Sequence, residues 1–375
     1  METMSELKPF RIGGIAVSPP VMLSPMAGYT DLPYRLLCRR MGCPYTTTEM
    51  MLDRLVLLKG KLQVRMLAIS DEDHPSAGQI TGNEPDVMAA AAESLCEHGF
   101  DAVDLNFACP VRKALARQRG GAILQKPALA GQIVRAVVAA SGKPVTIKLR
   151  RGFAEEEIEE EEEEEATEGG TPSGREGKMP SPRAGETPAT QMSAAPSDDF
   201  WAIAEEAFAG GAAAITVHAR TVEARYHGRA DWDFLAAVKQ RFPDRTVIGS
   251  GDVTSAEAAL DMIRRTGVDG AAVARGALGN PWIFRQLKDL LAGRPPYRPP
   301  LQEVREVMEG HFAAAIELYG PLRGPRIMRK HAIKYSRMHP RAKAVRGAMA
   351  SVKNAEQWRM VLDAHYPPEL KGAQT

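Results

Sequence analysis

Cysteine is scarce in this chain and long apolar runs are absent. The four cysteines, at 38, 43, 96 and 109, are too few and too irregular for a disulfide scaffold. None pairs as Cys-x-x-Cys, so zinc and iron–sulfur sites of that kind are excluded and no metal is expected. No stretch approaches the ~18 apolar residues of a bilayer span, which rules out an integral membrane protein and leaves no membrane partner. The first residues, METMSELKPFRIGG, lack the apolar core of a signal peptide, so a cytoplasmic location is expected. What is present suits a soluble enzyme. With 44% hydrophobic and 25% charged residues, 375 residues can fill two or three domains, or one α/β barrel of ~250 residues with an appendage.

The net charge of +1 hides an asymmetry. Residues 154–196 hold thirteen Glu against three Lys/Arg, a local charge of −10, so the remainder carries +11. A basic body suits a polyanionic partner, although basic residues can also be plain solvated surface. The acidic stretch combines a Glu run with Gly, Pro, Ser and Thr and has almost nothing to bury. It reads as a disordered surface insertion, because no core could offset the entropy of ordering it.

On either side of the insertion a strand-then-helix unit repeats. Strand candidates are 21–27, 46–50, 76–80, 102–107, 144–149, 213–219, 246–251 and 270–274. Helical patterns fill the gaps, and several end in Gly, as helix C-termini commonly do. Eight such units predict a (β/α)8 TIM barrel over 10–293, with 154–196 inserted after the fifth strand. A doubly wound sheet is the weaker rival, because no Gly-x-Gly-x-x-Gly follows the first strand. After the Pro-rich piece RPPYRPP (294–300) only helical patterns remain, which predicts an all-helical domain over 301–366.

In such barrels the chemistry lies at the C-terminal ends of the strands. Those positions hold Ser24 to Gly28, Glu49, Gln79, Asn106 with Cys109, Lys148 with Arg150, His218 with Arg220, Ser250-Gly251-Asp252, and Ala274-Arg275-Gly276. The last two loops follow strands seven and eight, the usual phosphate cradle, which favours a phosphorylated cofactor. Lys148 ends a β-branched strand and needs an anion or an electron-rich ring. An ammonium beside a flavin N1 is one reading; a substrate-activating lysine is the other. Cys109 lies on a rim loop close to Arg112 and Lys113, where nearby cations would lower its pKa. Cys38, Cys43 and Cys96 read as buried packing residues.

These residues carry a resemblance. The chain resembles the tRNA-dihydrouridine synthases, and among them the bacterial B class, from about residue 10 to 365. The markers are PMAGYTDLPYR (25–35), GQITG (78–82), DLNFACPVRK (104–113), TIKLR (146–150), ITVHART (215–221), GSGDV (249–253), ARGALGNPWIF (274–284) and YGPLRGPRIMRKH (319–331). The resemblance implies an FMN enzyme that reduces the C5–C6 double bond of particular tRNA uridines to 5,6-dihydrouridine with electrons from NADPH or NADH. Hydride would pass from flavin to C6, and Cys109 would protonate C5. Pro25, Met26, Ala27, Gln79, Lys148, His218, Ser250, Gly251, Asp252, Ala274 and Arg275 would bind the cofactor. Asn106, Lys113, Arg150 and Arg220 would meet the substrate. The chain departs from the family at Ala108 and Ala274, usually Gly, and at Ser250, usually Asn. A methyl at Ala274 would crowd the phosphate if that position needed a positive φ.

A tRNA partner also follows from charge. Residues 321–346 hold nine Lys/Arg and no Asp or Glu. Arg326, Arg329, Lys330, Lys334 and Arg337 recur at largely helical spacing and predict a cationic stripe for phosphates, with Tyr335 or His331 free to stack on a base. A flavin reductase of small pyrimidines would not need this segment. An inactive RNA binder would have no physical reason to keep Cys109 and Lys148. A monomer is expected.

Overall fold

The computed structural model describes residues 7–153 and 198–367, so the insertion expected at 154–196 lies outside the described residues. Two short strands, β1 (Phe10–Ile12) and β2 (Ile15–Val17), pair as an antiparallel hairpin. One parallel sheet follows, built from β3 (Val21–Leu23), β4 (Thr46–Thr47), β5 (Met51–Leu52), β6 (Ser76–Thr81), β7 (Ala102–Asn106), β8 (Val145–Arg150), β9 (Ala214–His218), β10 (Thr246–Ser250) and β11 (Gly270–Val273). Strand β4 pairs with both β3 and β6, which closes eight strands into a barrel and leaves β5 as a short extension along β6. The (β/α)8 barrel expected from the sequence is the fold, followed by C-terminal helices.

The strands read as apolar runs because both faces are covered. Outward positions such as Val103, Leu105, Ile147, Leu149, Ile215 and Val217 pack beneath the surrounding helices. Inward positions at the N-terminal end, among them Met22, Tyr45, Ala77, Ala102, Ala214, Ile248 and Ala272, form a second, smaller cluster. Phe10, Ile12 and Val17 of the hairpin join that cluster and plug the bottom of the barrel. Two residues further along each strand the interior turns polar, with Asp104, Thr146 and Thr216, then Asn106, Lys148 and His218. Sealed below and polar above, the barrel offers its chemistry at the C-terminal rim.

The helices begin and end where local chemistry dictates. Asp31, Asp231 and Ser255 each accept a hydrogen bond from a first-turn amide, at 3.1, 3.0 and 3.2 Å respectively. Gly142 and Gly267 close two helices at φ +59° and +71°.

Four helices, Leu301–Tyr319, Gly324–Tyr335, Ala342–Ala350 and Ala355–His365, follow the barrel. They share its apolar cluster: Met308, Phe312, Met328 and Tyr335 belong with Tyr34 and Leu278. A polar tie reinforces the packing, with Tyr319 Oη donating to Asp31 at 2.9 Å. Gly279 (φ +79°) lies so close to the backbone of Lys334 that any side chain would collide with it. Replacing Gly279 by Ala is therefore expected to loosen the helices from the barrel and lower Tm by several degrees, as read by thermal melts.

Candidate active site

A cavity of about 380 Å³ opens at the C-terminal rim, inside the range typical of small-molecule and cofactor sites. Its wall takes residues from all around the barrel. Ser24, Pro25, Met26 and Ala27 enter after β3, and Gln79 and Asn106 from the ends of β6 and β7. Lys148 and Arg150 come from β8 and His218 from β9. Ser250, Gly251 and Asp252 follow β10, and Ala274 and Arg275 follow β11. Thus all eleven residues expected to bind the cofactor line one cavity, together with Cys109, Asn106, Arg150 and Lys334.

Three ties hold the Cys109 loop. Asn106 Oδ1 accepts from the amides of Ala108 and Cys109 at 3.0 and 2.9 Å. Arg150 Nε donates to Ala108 O at 2.9 Å, and Gly121 N to Cys109 O at 3.0 Å. The same guanidinium donates to Thr221 O and Arg225 O, both at 2.8 Å, so Arg150 bolts the Cys109 loop to the loop after β9. Burial raises the Cys109 thiol above its ordinary value, and the Val111 amide and the Arg150 charge offset this only in part. This corrects the expectation of a lowered pKa. Arg112 and Lys113, adjacent in sequence, are exposed and contribute nothing, and desolvation wins. Cys109 is a protonated thiol at neutral pH.

Lys148 is only 8% exposed, and its Nζ has no hydrogen-bond partner. Burial pushes this amine down to about 8, with Asp104 holding it up and Arg150 pressing it lower. A buried ammonium without a partner is costly and marks a place where an electron-rich group belongs. His218 is neutral: burial, then the charges of Arg150, Lys148, Arg220 and Arg275, drive its pKa far down. Its Nδ1 accepts from Arg220 N at 3.2 Å, so the ring proton sits on Nε2.

The loops after β10 and β11 form a cradle. Asp252 adopts φ +55° and accepts from Arg220 Nη2 at 2.6 and 2.7 Å and from Ala230 N at 2.8 Å. Burial alone would raise this carboxyl, but the Arg220 bonds, the Ala230 amide and the Arg220 and Arg275 charges bring it below the ordinary range. A Cβ on Gly276 would stand 2.5 Å from Val253 O, so glycine is what lets the two loops meet. Ala274 is not among the described non-glycine residues with positive φ, so its methyl is accommodated. The buried Lys148, Arg275 on the loop after β11 and the close approach at Gly276 fit a flavin phosphate ester.

Other expected substrate residues lie elsewhere. Lys113 is exposed on the short helix Arg112–Leu115, away from the cavity wall. Arg220 is buried as a strut, donating to His227 O, Gly228 O and Asp252. The stripe on Gly324–Tyr335 is split. Arg326 is exposed and Arg329 half-buried, but Lys330 turns to the barrel, its Nζ 4.9 Å from the Tyr29 ring centre, and Lys334 reaches the cavity wall. Tyr335 and His331 are buried and cannot stack on a base. His331 packs against Tyr29, Tyr34 and His311 with ring centres 5.1, 5.2 and 4.6 Å away. The helix docks on the barrel through the face that carries these rings.

Sequence reasoning missed Tyr226. Its ring, 57% exposed, stands at the cavity mouth between the guanidinium carbons of Arg150 and Arg275, at 5.6 and 5.0 Å. The available signal was a lone aromatic in the polar loop TVEARYHGRAD after β9.

Comparison with known proteins agrees with this fold. The dihydrouridine synthase (Dus) family profile matches residues 22–170 and 191–369. A probable tRNA-dihydrouridine synthase of Mycobacterium tuberculosis is 34% identical over 97% of this chain and 88% of its own. The tRNA-dihydrouridine synthase B of Pseudomonas putida is 32% identical over 92% of this chain and 91% of its own. Among solved structures, histamine dehydrogenase from Rhizobium sp. 4-9 shares the fold at TM-score 0.54 and 13% identity, covering 83% of this chain and 51% of that one. With the profile spanning the barrel and the helices that follow it, the chain belongs to the dihydrouridine synthase family.

Proposed function

We propose that this enzyme reduces the C5–C6 double bond of specific uridines in tRNA to 5,6-dihydrouridine, holding FMN in the rim cavity and drawing electrons from NADPH or NADH. The observation that carries the reading is a partly buried thiol, Cys109, and a buried amine without a hydrogen-bond partner, Lys148, on one cavity wall. In this reading Pro25, Met26, Ala27, Gln79 and Lys148 hold the ring system, and His218 donates from Nε2. Ser250, Gly251, Asp252, Ala274 and Arg275 hold the phosphate. When bound, FMN supplies the hydride for C6.

The protein's own part is acid catalysis and positioning. Cys109 Sγ–H protonates C5, and its raised pKa keeps that proton in place at working pH. Asn106 and Arg150 fix the loop that carries the thiol. The uridine has to leave its stack to reach the cavity, at a cost of a few kcal/mol. Tyr226, flanked by two guanidiniums, offers an exposed ring at the entrance for the extruded base.

Two measurements test the reading. The purified protein should show flavin absorbance and release FMN on denaturation; no flavin band, and none regained on adding FMN, would overturn the cofactor. Mass spectrometry of tRNA from a strain lacking the gene should show particular uridines without the added mass of two hydrogens. A reductase of free pyrimidines would leave tRNA unchanged.

The tRNA surface is proposed to lie on the outward side of the C-terminal helices, where Arg326, Arg337, Arg341, Lys343 and Arg346 are exposed. Changing Arg326 and Arg329 to Gln should lower the slope of log K against log salt by roughly 0.7–0.9 per lost phosphate contact. NADPH oxidation by the flavin should not change. Lys330 and Lys334 belong to a different experiment, because their substitution would also alter the barrel rim. An unchanged affinity and slope in the Arg326/Arg329 variant would move the docking surface elsewhere.

A further inference from the structure

Asp104 is a buried carboxylate beneath the cavity, unused by the chemistry proposed above. It lies on β7 two residues before Asn106, so both side chains enter the barrel interior. Thr146 Oγ1 donates to Asp104 Oδ1 and Gln79 Nε2 to Oδ2, each at 2.6 Å. An ionised carboxylate only accepts, so the Gln79 amide nitrogen has to face Asp104 and its oxygen has to face away. Gln79 Oε1 then accepts from Asn106 Nδ2 at 2.9 Å. That leaves Asn106 Oδ1 to accept from the amides of Ala108 and Cys109. Every amide in this hydrogen-bond chain has a single orientation, fixed at one end by the donating backbone amides of Ala108 and Cys109 and matched at the buried end by the accepting carboxylate of Asp104.

The same carboxylate faces Lys148. In the β7–β8 ladder Asp104 pairs with Thr146 and Asn106 with Lys148, so the amine lies one inward step above the carboxylate. The other charged or titratable groups facing Lys148 are Arg150, which is positive, and His218, which is neutral. Tyr45, beside Asp104, is a buried neutral phenol. Asp104 is the acid in this set: burial raises its own pKa, and the Thr146 and Gln79 hydrogen bonds and the Lys148 charge oppose that rise, so it supplies the negative charge where it is ionised.

We propose that Asp104 is a positioning residue with two effects: it anchors the buried end of the hydrogen-bond chain that reaches the Cys109 loop, and it keeps the Lys148 ammonium charged. The second effect matters to the reaction only if Lys148 faces a bound flavin, and in that respect the inference rests on the function proposed above. Removing the Asp104 charge leaves a buried amine with positive Arg150 as its nearest charged neighbour, and desolvation then favours the neutral form.

The decisive measurement is the titration of Lys148 by NMR in the full-length, flavin-free chain, with 15Nζ-labelled lysine and the signal assigned by its loss in Lys148→Met. Wild-type Lys148 is expected to titrate at about 8. In Asp104→Asn, which can keep an acceptor toward Gln79, it should titrate lower by about one unit or more. This readout needs neither flavin nor tRNA, so its failure is distinguishable from failure of the FMN reading. With flavin bound, the variant should have a wild-type flavin potential at pH about 6, where the amine is charged in both proteins, and a more negative one near pH 7.5. Dihydrouridine formation should follow, falling about threefold near pH 7.5 for a one-unit shift and recovering as the pH is lowered. A purely structural defect would depress both conditions alike. An unmoved Lys148 titration overturns the proposal. If Asp104→Asn does not fold, Asp104→Ser carries the same expectation, and failure of both to fold would assign Asp104 to stability alone.

Discussion

Cys109→Ala is expected to keep its flavin and its NADPH oxidation while forming dihydrouridine ~10²–10⁴-fold more slowly, the usual cost of losing a general acid. In the proposed reaction the two halves separate because the thiol would be needed only when C5 takes its proton. Flavin bleaching in a stopped-flow instrument reads the first half-reaction, and mass spectrometry of the tRNA reads the second. The pH dependence has a definite sign. In the proposed reaction Cys109 would act as S–H, and burial raises its pKa, so the rate of uridine reduction should hold on a plateau through neutral pH. It should fall only above the ordinary thiol value of 9.0. A lowered pKa, as Arg112 and Lys113 suggest from sequence, would start that fall below 9.0. If Cys109→Ala matched the wild-type rate, the thiol would be a packing residue.

Arg35→Met is expected to destabilise the fold by ~3–5 kcal/mol, the cost of leaving one partner of a buried ion pair uncompensated. Both Arg35 and Asp73 are fully buried, 2.8 Å apart. Arg35 also donates to Thr30 O at 2.9 Å and Ala68 O at 2.8 Å, and Thr46 Oγ1 donates to Asp73 at 3.0 Å. The guanidinium therefore ties the loop after β3 to the segment before β6, beneath the cavity rim. Urea titration measures the loss, and the double variant Arg35→Met/Asp73→Leu should recover part of it, since no buried charge then remains. A single variant within about 1 kcal/mol of wild type would show that water reaches this pair.

The barrel was legible because parallel strands covered on both faces must be apolar throughout, and each of the eight runs singled out overlaps a barrel strand. The hairpin of β1 and β2 escaped notice because three-residue strands carry too little periodicity to stand out. Much of the site was legible for a related reason. In this fold, catalytic side chains have to sit at strand C-termini, so Gln79, Asn106, Lys148, His218 and Ser250 could be read off as positions before any contact was known.

What those side chains do to one another was decided by tertiary structure alone. Arg112 and Lys113 adjoin Cys109 in sequence yet point to solvent, whereas Arg150, from the next strand, binds its loop. Burial, which no neighbouring residue type reports, sets the sign of the thiol shift. The basic helix shows the same division. Its charges and its period belong to the sequence. Which face turns inward depends on the barrel loops at Tyr29, Ala277 and Gly279, which claim Lys330, His331 and Tyr335 and leave Arg326 to solvent. Local sequence determined the fold class and the reactive groups, because periodicity and strand ends are local properties. Docking and desolvation determined their protonation and their neighbours, because both depend on surfaces brought together from distant parts of the chain.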